Sequence, residues 1–140
     1  MNFKERCILL LDEEHMFENS GHRTRFKELL DCYGDYPFFS RGLCKCMYLS
    51  AWDEEHFAVM LEVLTGLTLG KERDTGEMRM QGENLARESA GGEYYVFQLS
   101  NAFLDGREFH LEEDAKVEPE YQYIIQRALR AEELIEKASC

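Results

Sequence analysis

Proline is scarce in this sequence, at two residues in 140, and no run of 18 apolar residues occurs in it. The first scarcity, beside nine Phe, seven Tyr and 44% hydrophobic residues, argues against a disordered chain, which combines low hydrophobicity with high charge. The second leaves no segment apolar and long enough to span a membrane as a helix. Cysteine is present but unorganised. Cys7, Cys32, Cys44, Cys46 and Cys140 are odd in number and follow no framework spacing, which predicts reduced thiols in a cytoplasmic protein. The apolar stretch at 7 to 11 is too short for a secretory signal and runs straight into acids. Linkers rich in Gly, Ser and Pro, low-complexity tracts and sustained repeats are all missing, so residues 1–140 read as a single domain. A domain of this length removes roughly two thirds of its unfolded surface from water, enough for a real core.

Catalytic signatures are missing too. Ser40, Ser50, Ser89 and Ser100 lack a nucleophile elbow, and no glycine loop cradles phosphate. Cys44 and Cys46 point in different directions on a helix and have no second pair to complete a zinc site, so they read as small core residues. Asp74-Thr75-Gly76 spells the aspartic-protease triplet, but Arg73 and Glu77 flank it in place of apolar strand residues, and it reads as a turn. The sequence implies no cofactor.

Positive charge is also in short supply: 16 Lys plus Arg against 28 carboxylates leaves a net charge of −12. Such a chain stays soluble, is disfavoured at nucleic acid and at anionic membranes, and is steered toward basic surfaces by an attraction screened over about 8 Å.

Apolar spacing predicts a mainly α protein, a compact bundle of about four to five helices. Residues 7 to 11 suit either a strand or the first turn of a buried helix. Ser20 is placed to cap a helix whose stripe is Phe26, Leu29, Leu30 and Tyr33, with Gly34 as its stop. Pro37 suits a first helical position, and the segment with Phe38, Phe39, Leu43, Cys46, Met47 and Leu49 is apolar on most sides, as a central helix is. Ser50 is the expected cap of the next helix, striped by Phe57, Met60, Leu61 and Leu64 and ended by Gly66. Leu67-Thr68-Leu69 and Met78-Arg79-Met80 around the 74 to 76 turn allow a small β-hairpin in the middle. Residues 93 to 104 read as a helix on Tyr95, Val96, Leu99 and Phe103, stopped by Gly106. Pro119 opens an amphipathic surface helix with Tyr121, Ile124, Ile125, Ala128, Leu134 and Ile135 on one face and a Glu133/Lys137 pair.

The string Asp-Glu-Glu-His occurs twice, at 12 to 15 and 53 to 56. On helices, Asp12 with His15 and Asp53 with His56 share a face, the spacing by which bundles holding two metal ions present a carboxylate and a His. That pattern uses Glu, however, and acids near helix starts have their own reason in the helix dipole. A metal-binding helical enzyme on these four residues is therefore the second reading.

The first reading follows the acids themselves. They fall in clusters at 12 to 18, at 53 to 55, and between 105 and 120, where Asp105, Glu108, Glu112, Glu113, Asp114, Glu118 and Glu120 face only Arg107 and Lys116. A solvated surface accounts for any single cluster; three of them with a total of −12 exceed what solubility needs. The third, outside any obvious helix start, is the expected partner-binding surface, and the expected partner is a basic protein. An acidic face of this kind can occupy a channel of Lys and Arg built for nucleic acid.

Residues 14 to 30, with His22-Arg23-Thr24-Arg25-Phe26-Lys27-Glu28-Leu29-Leu30, and residues 96 to 106, Val96-Phe97-Gln98-Leu99-Ser100-Asn101-Ala102-Phe103-Leu104-Asp105-Gly106, resemble the small uncharacterised helical proteins of phages and integrative elements of Gram-positive bacteria. The resemblance covers about a third of the chain, rests on core and capping residues, and brings no catalytic residue. It implies a mobile-element protein, and such elements encode short acidic nucleic-acid mimics that block host defence nucleases, anti-CRISPR proteins among them. The expectation is thus a small acidic, non-enzymatic inhibitor. A self-assembling protein pairing through its C-terminal helix is a third reading, and oligomeric state stays open.

Overall fold

A computed structural model describes residues 1–71, 76, 79–80, 83–84, 92–111 and 113–139. Six helices are assigned among them: α1 Phe3–Glu13, α2 Ser20–Tyr33, α3 Arg41–Ser50, α4 Glu54–Thr68, α5 Gly92–Asp105 and α6 Pro119–Ala138. The segment at 7 to 11 is therefore helical. The hairpin is not seen: Leu67 and Thr68 belong to α4, and Gly76, Arg79 and Met80 are helical, while Asp74, Thr75 and Met78 lie outside the described residues.

Short polar side chains decide where the helices begin. Asn19, not Ser20, caps α2 by accepting from the His22 amide, and Ser40 caps α3 through the Leu43 amide. Pro37 thus falls in the turn before α3. Asp53 caps α4, whereas Ser50 ends α3 and donates its hydroxyl back to the Cys46 carbonyl. Gly66 does not stop α4, which runs on to Thr68; Gly70, at φ 75°, makes the left-handed turn that follows, as Gly106, at φ 68°, does after α5.

Helix α3 is the hub, packed on α2, α4, α5 and α6, while α1 closes against α6 and α2. Every residue from Leu43 to Leu49 is buried, as the all-round apolar pattern requires. Gly42 lets α3 approach α5 closely, because a Cβ there would meet the Phe103 carbonyl oxygen. The α2 stripe of Phe26, Leu29 and Leu30 is fully buried, each side chain worth about 1.5–3 kcal/mol. Helix α6 buries Ile125, Ala128, Ala131, Leu134 and Ile135 while packed on α1, α3 and α5. The stripe expected to face a second copy is thus covered by the protein's own helices. Glu133 accepts from Arg130 at 2.7 Å, in place of the expected Lys137 pairing.

Two buried polar groups fit this core without strain. His22 accepts at Nδ1 from the Glu18 amide and donates Nε2–H to the Tyr48 carbonyl at 2.9 Å. Burial pushes it down to about 4, so the ring is neutral. Lys45, its side chain mostly buried, places its ammonium 5.9 Å from the Phe103 ring centroid and on Glu136 at 2.6 Å and Glu132 at 3.3 Å.

Candidate functional site

The starts of α4, α5 and α6 converge. At α4, Asp53 caps the helix and both its oxygens accept from His56 Nδ1, at 2.7 and 2.8 Å. The other ring nitrogen, Nε2, reaches Glu93 Oε1 in the first turn of α5 at 2.6 Å. At α6, Glu118 accepts the Gly92 amide at 2.9 Å, so the residue before one helix caps another. Gly92 is held against Tyr121, whose ring a Cβ would strike. Charge assistance is strong here: hydrogen bonds to Asp53 and then Glu93 outweigh burial and raise His56 to about 10, making it an imidazolium at neutral pH. Burial raises the Asp53 carboxyl, but the bonds from His56 win and hold it below its usual range.

Beside this triad lies a cleft of about 350 Å³ along one face of α5. Val96, Phe97, Val59 and Met60 form apolar walls; Trp52, Tyr121 and Glu120 stand at the triad end, and Asn101 and Leu104 toward the end of α5. Arg79 also lines it and is held by Asp105 at 2.7 Å. Cys46 donates to the Ser100 carbonyl, and burial pushes its thiol up to about 12. Asn101 Oδ1 is buried without a hydrogen-bond partner.

The seven acids expected to form one patch are strung out. Asp105 ends α5 and pairs with Arg79 and Arg107, whereas Glu118 sits on the first residue of that helix, about 20 Å away at 1.5 Å per residue. Glu108 meets His110 at 3.2 Å, both exposed. Glu113 and Asp114 are exposed, and no ion pair to them is seen among the described residues. Glu112 lies outside those residues. Glu118 and Glu120 belong to the start of α6, so they have the helix-dipole reason the sequence seemed to deny them.

The 12 to 18 cluster spans the last residues of α1, Asp12 and Glu13, and the turn that leads to α2, not the start of α1. Asp12 pairs with Arg23 at 3.0 Å, Glu14 with Arg130, and Glu18 accepts from Tyr123. His15 lies beyond the helix at φ 54°, exposed. Asp12 and His15 therefore do not share a helical face, and Asp53 and His56 bind each other. Among the described residues no group of three or more His, Cys, Asp and Glu is arranged to hold a metal ion.

No family model matches the chain, and no curated protein or solved structure matches it. What the cleft can do chemically follows from its groups. His56 is protonated and tied at both nitrogens, and the Cys46 thiol is neutral, so neither is a ready base or nucleophile. Carboxylates and aromatic faces remain, a set that can hold a cation.

Proposed function

We propose that this is a non-enzymatic binding protein that engages a basic protein partner through its acidic end. The observation carrying the reading is the convergence of three helix starts, which gathers Asp53, Glu54, Glu55, Glu93, Glu118 and Glu120 near His56, with Arg25 beside Asp53. Helix dipoles stabilise the carboxylates there, so the fold tolerates a concentration of charge that is useful for docking. Glu113 and Asp114, exposed on the connection leading to α6, extend it. A partner built to hold nucleic acid presents the complementary surface, and the resemblance to mobile-element proteins supports the narrower form, an inhibitor of a defence nuclease of the anti-CRISPR kind.

The test is capture of a purified nucleic-acid-binding enzyme at low and moderate salt. Binding that falls with salt, is lost in the triple variant Glu113→Gln, Asp114→Asn, Glu120→Gln and survives in Glu13→Gln, Glu28→Gln supports the proposal. Binding indifferent to salt and to the triple variant overturns it.

A further inference from the structure

We infer that the cleft along α5 is a binding site for a small organic cation, an ammonium group on an apolar stem. Its volume, about 350 Å³, falls at the lower end of ligand pockets, which span roughly 300–1,000 Å³. Its walls are apolar along Val59, Met60, Val96 and Phe97; its carboxylates gather at the triad end, while Arg79, Ser100 and Asn101 lie toward the other. This is the layout for a ligand with a greasy body and one charged head.

The sign of the head follows from the charges facing the cleft. At the triad end the lining carboxylates Asp53, Glu93 and Glu120 outnumber the lining cation His56 three to one, while Arg25, behind them, spends its guanidinium on the Ala51 and Trp52 carbonyls. Among the described residues the other cation lining the cleft, Arg79, is engaged by Asp105 at 2.7 Å. His56 has no N–H left to offer an anion, because both ring nitrogens are bonded to carboxylates. Glu120 is exposed and lines the cleft, with no ion pair seen among the described residues. Trp52 and Tyr121 stand at the same end, and aromatic faces attract cations, Trp most strongly. A cation already resides here: His56 lies between two carboxylates with its side chain 31% exposed. An incoming ammonium would sit outside it, between Glu120 and the rings.

Trp52 is the single tryptophan, so its emission reports occupancy. Phenethylammonium, titrated against full-length protein, should change that emission saturably, while phenylacetate and phenethyl alcohol, its anionic and neutral counterparts, should not at equal concentration. Glu120→Gln removes an exposed charge without touching the core; with its melting temperature unchanged it should weaken the ammonium roughly tenfold. Nα-acetyl-lysine amide and cadaverine separate the two sources of such a head: saturation by the first alone assigns the site to a lysine side chain, by cadaverine or both to a free amine. The inference is overturned if the ammonium fails to saturate, if phenylacetate or the alcohol binds as tightly, or if folded Glu120→Gln binds unchanged. Ammonium binding with no capture of a basic enzyme would sink the acidic-end proposal and leave this one standing.

Discussion

His56 of α4 and Glu93 of α5 share a 2.6 Å hydrogen bond across 37 residues of sequence. With Asp53 on the other nitrogen, the bond ties the starts of two helices through one proton-bearing ring. That ring should govern the alkaline limb of stability. Its folded pKa, about 10, lies above the ordinary 6.5, so the stabilisation is complete below about pH 6.5 and is lost as pH rises toward 10. With part of the ring in water the contribution is about 1–2 kcal/mol. Urea melts across that range should show the decline in the native protein and a flatter profile in Glu93→Gln; parallel profiles would contradict the linkage.

His22 should control the opposite limb. Its folded pKa, about 4, lies below 6.5 because the ring is buried, so the unfolded chain takes up the proton first. Stability is then present above pH 6.5 and falls as pH drops toward 4. Proton NMR of the four histidines should find one ring that stays neutral down to about pH 4; if all four titrate near 6.5, His22 is not held as described.

Lys45 separates packing from charge. Glu132 and Glu136 are 31% and 45% exposed, and Glu136 also pairs with Arg41, so removing the ammonium leaves neither acid stranded. Lys45→Met should therefore cost under about 1 kcal/mol, whereas Lys45→Ala, which also empties the space of the stem, should cost about 2 kcal/mol. Equal losses in denaturant melts would show that the ion pair, not the stem, matters.

Gly42 tests the approach of α3 to α5. Alanine ordinarily favours a helix by about 1 kcal/mol over glycine, yet here its Cβ meets the Phe103 carbonyl oxygen. Gly42→Ala should destabilise by about 1–3 kcal/mol, while Gly34→Ser is no control, since Leu30 crowds that site as well. A gain in melting temperature for Gly42→Ala would mean the two helices can separate freely.

Much of the bundle was legible because it depends on local signals. The stripe of α2, the buried α3 segment, the Gly106 stop and the Pro119 start are all readable at spacings of three and four residues, and the structure contains each. The caps differ from the expected ones by one residue at Asn19/Ser20 and by three at Ser50/Asp53, since only backbone geometry decides which side chain folds back. The hairpin failed because glycines that suit a turn also sit in helical backbone, as Gly76 does. The site was half legible. Asp53 and His56 stand out as a pair in the sequence, but Glu93 marks only the start of a helix there, and Trp52, Tyr121 and Arg79 carry no site signal. Nothing local links residues so far apart; the packing of α4, α5 and α6 on α3 does.

Arg6 of α1 donates to the Ala138 carbonyl at the end of α6, 132 residues later. In a chain made from its N-terminus at about 5–20 residues per second, α1 waits roughly 6–25 s for the helix that covers it. Until then the α6-facing sides of α1 and α3 lack the helix that covers them. Helix α1 therefore completes its packing only once α6 has been made, and the core closes between helices far apart in the sequence.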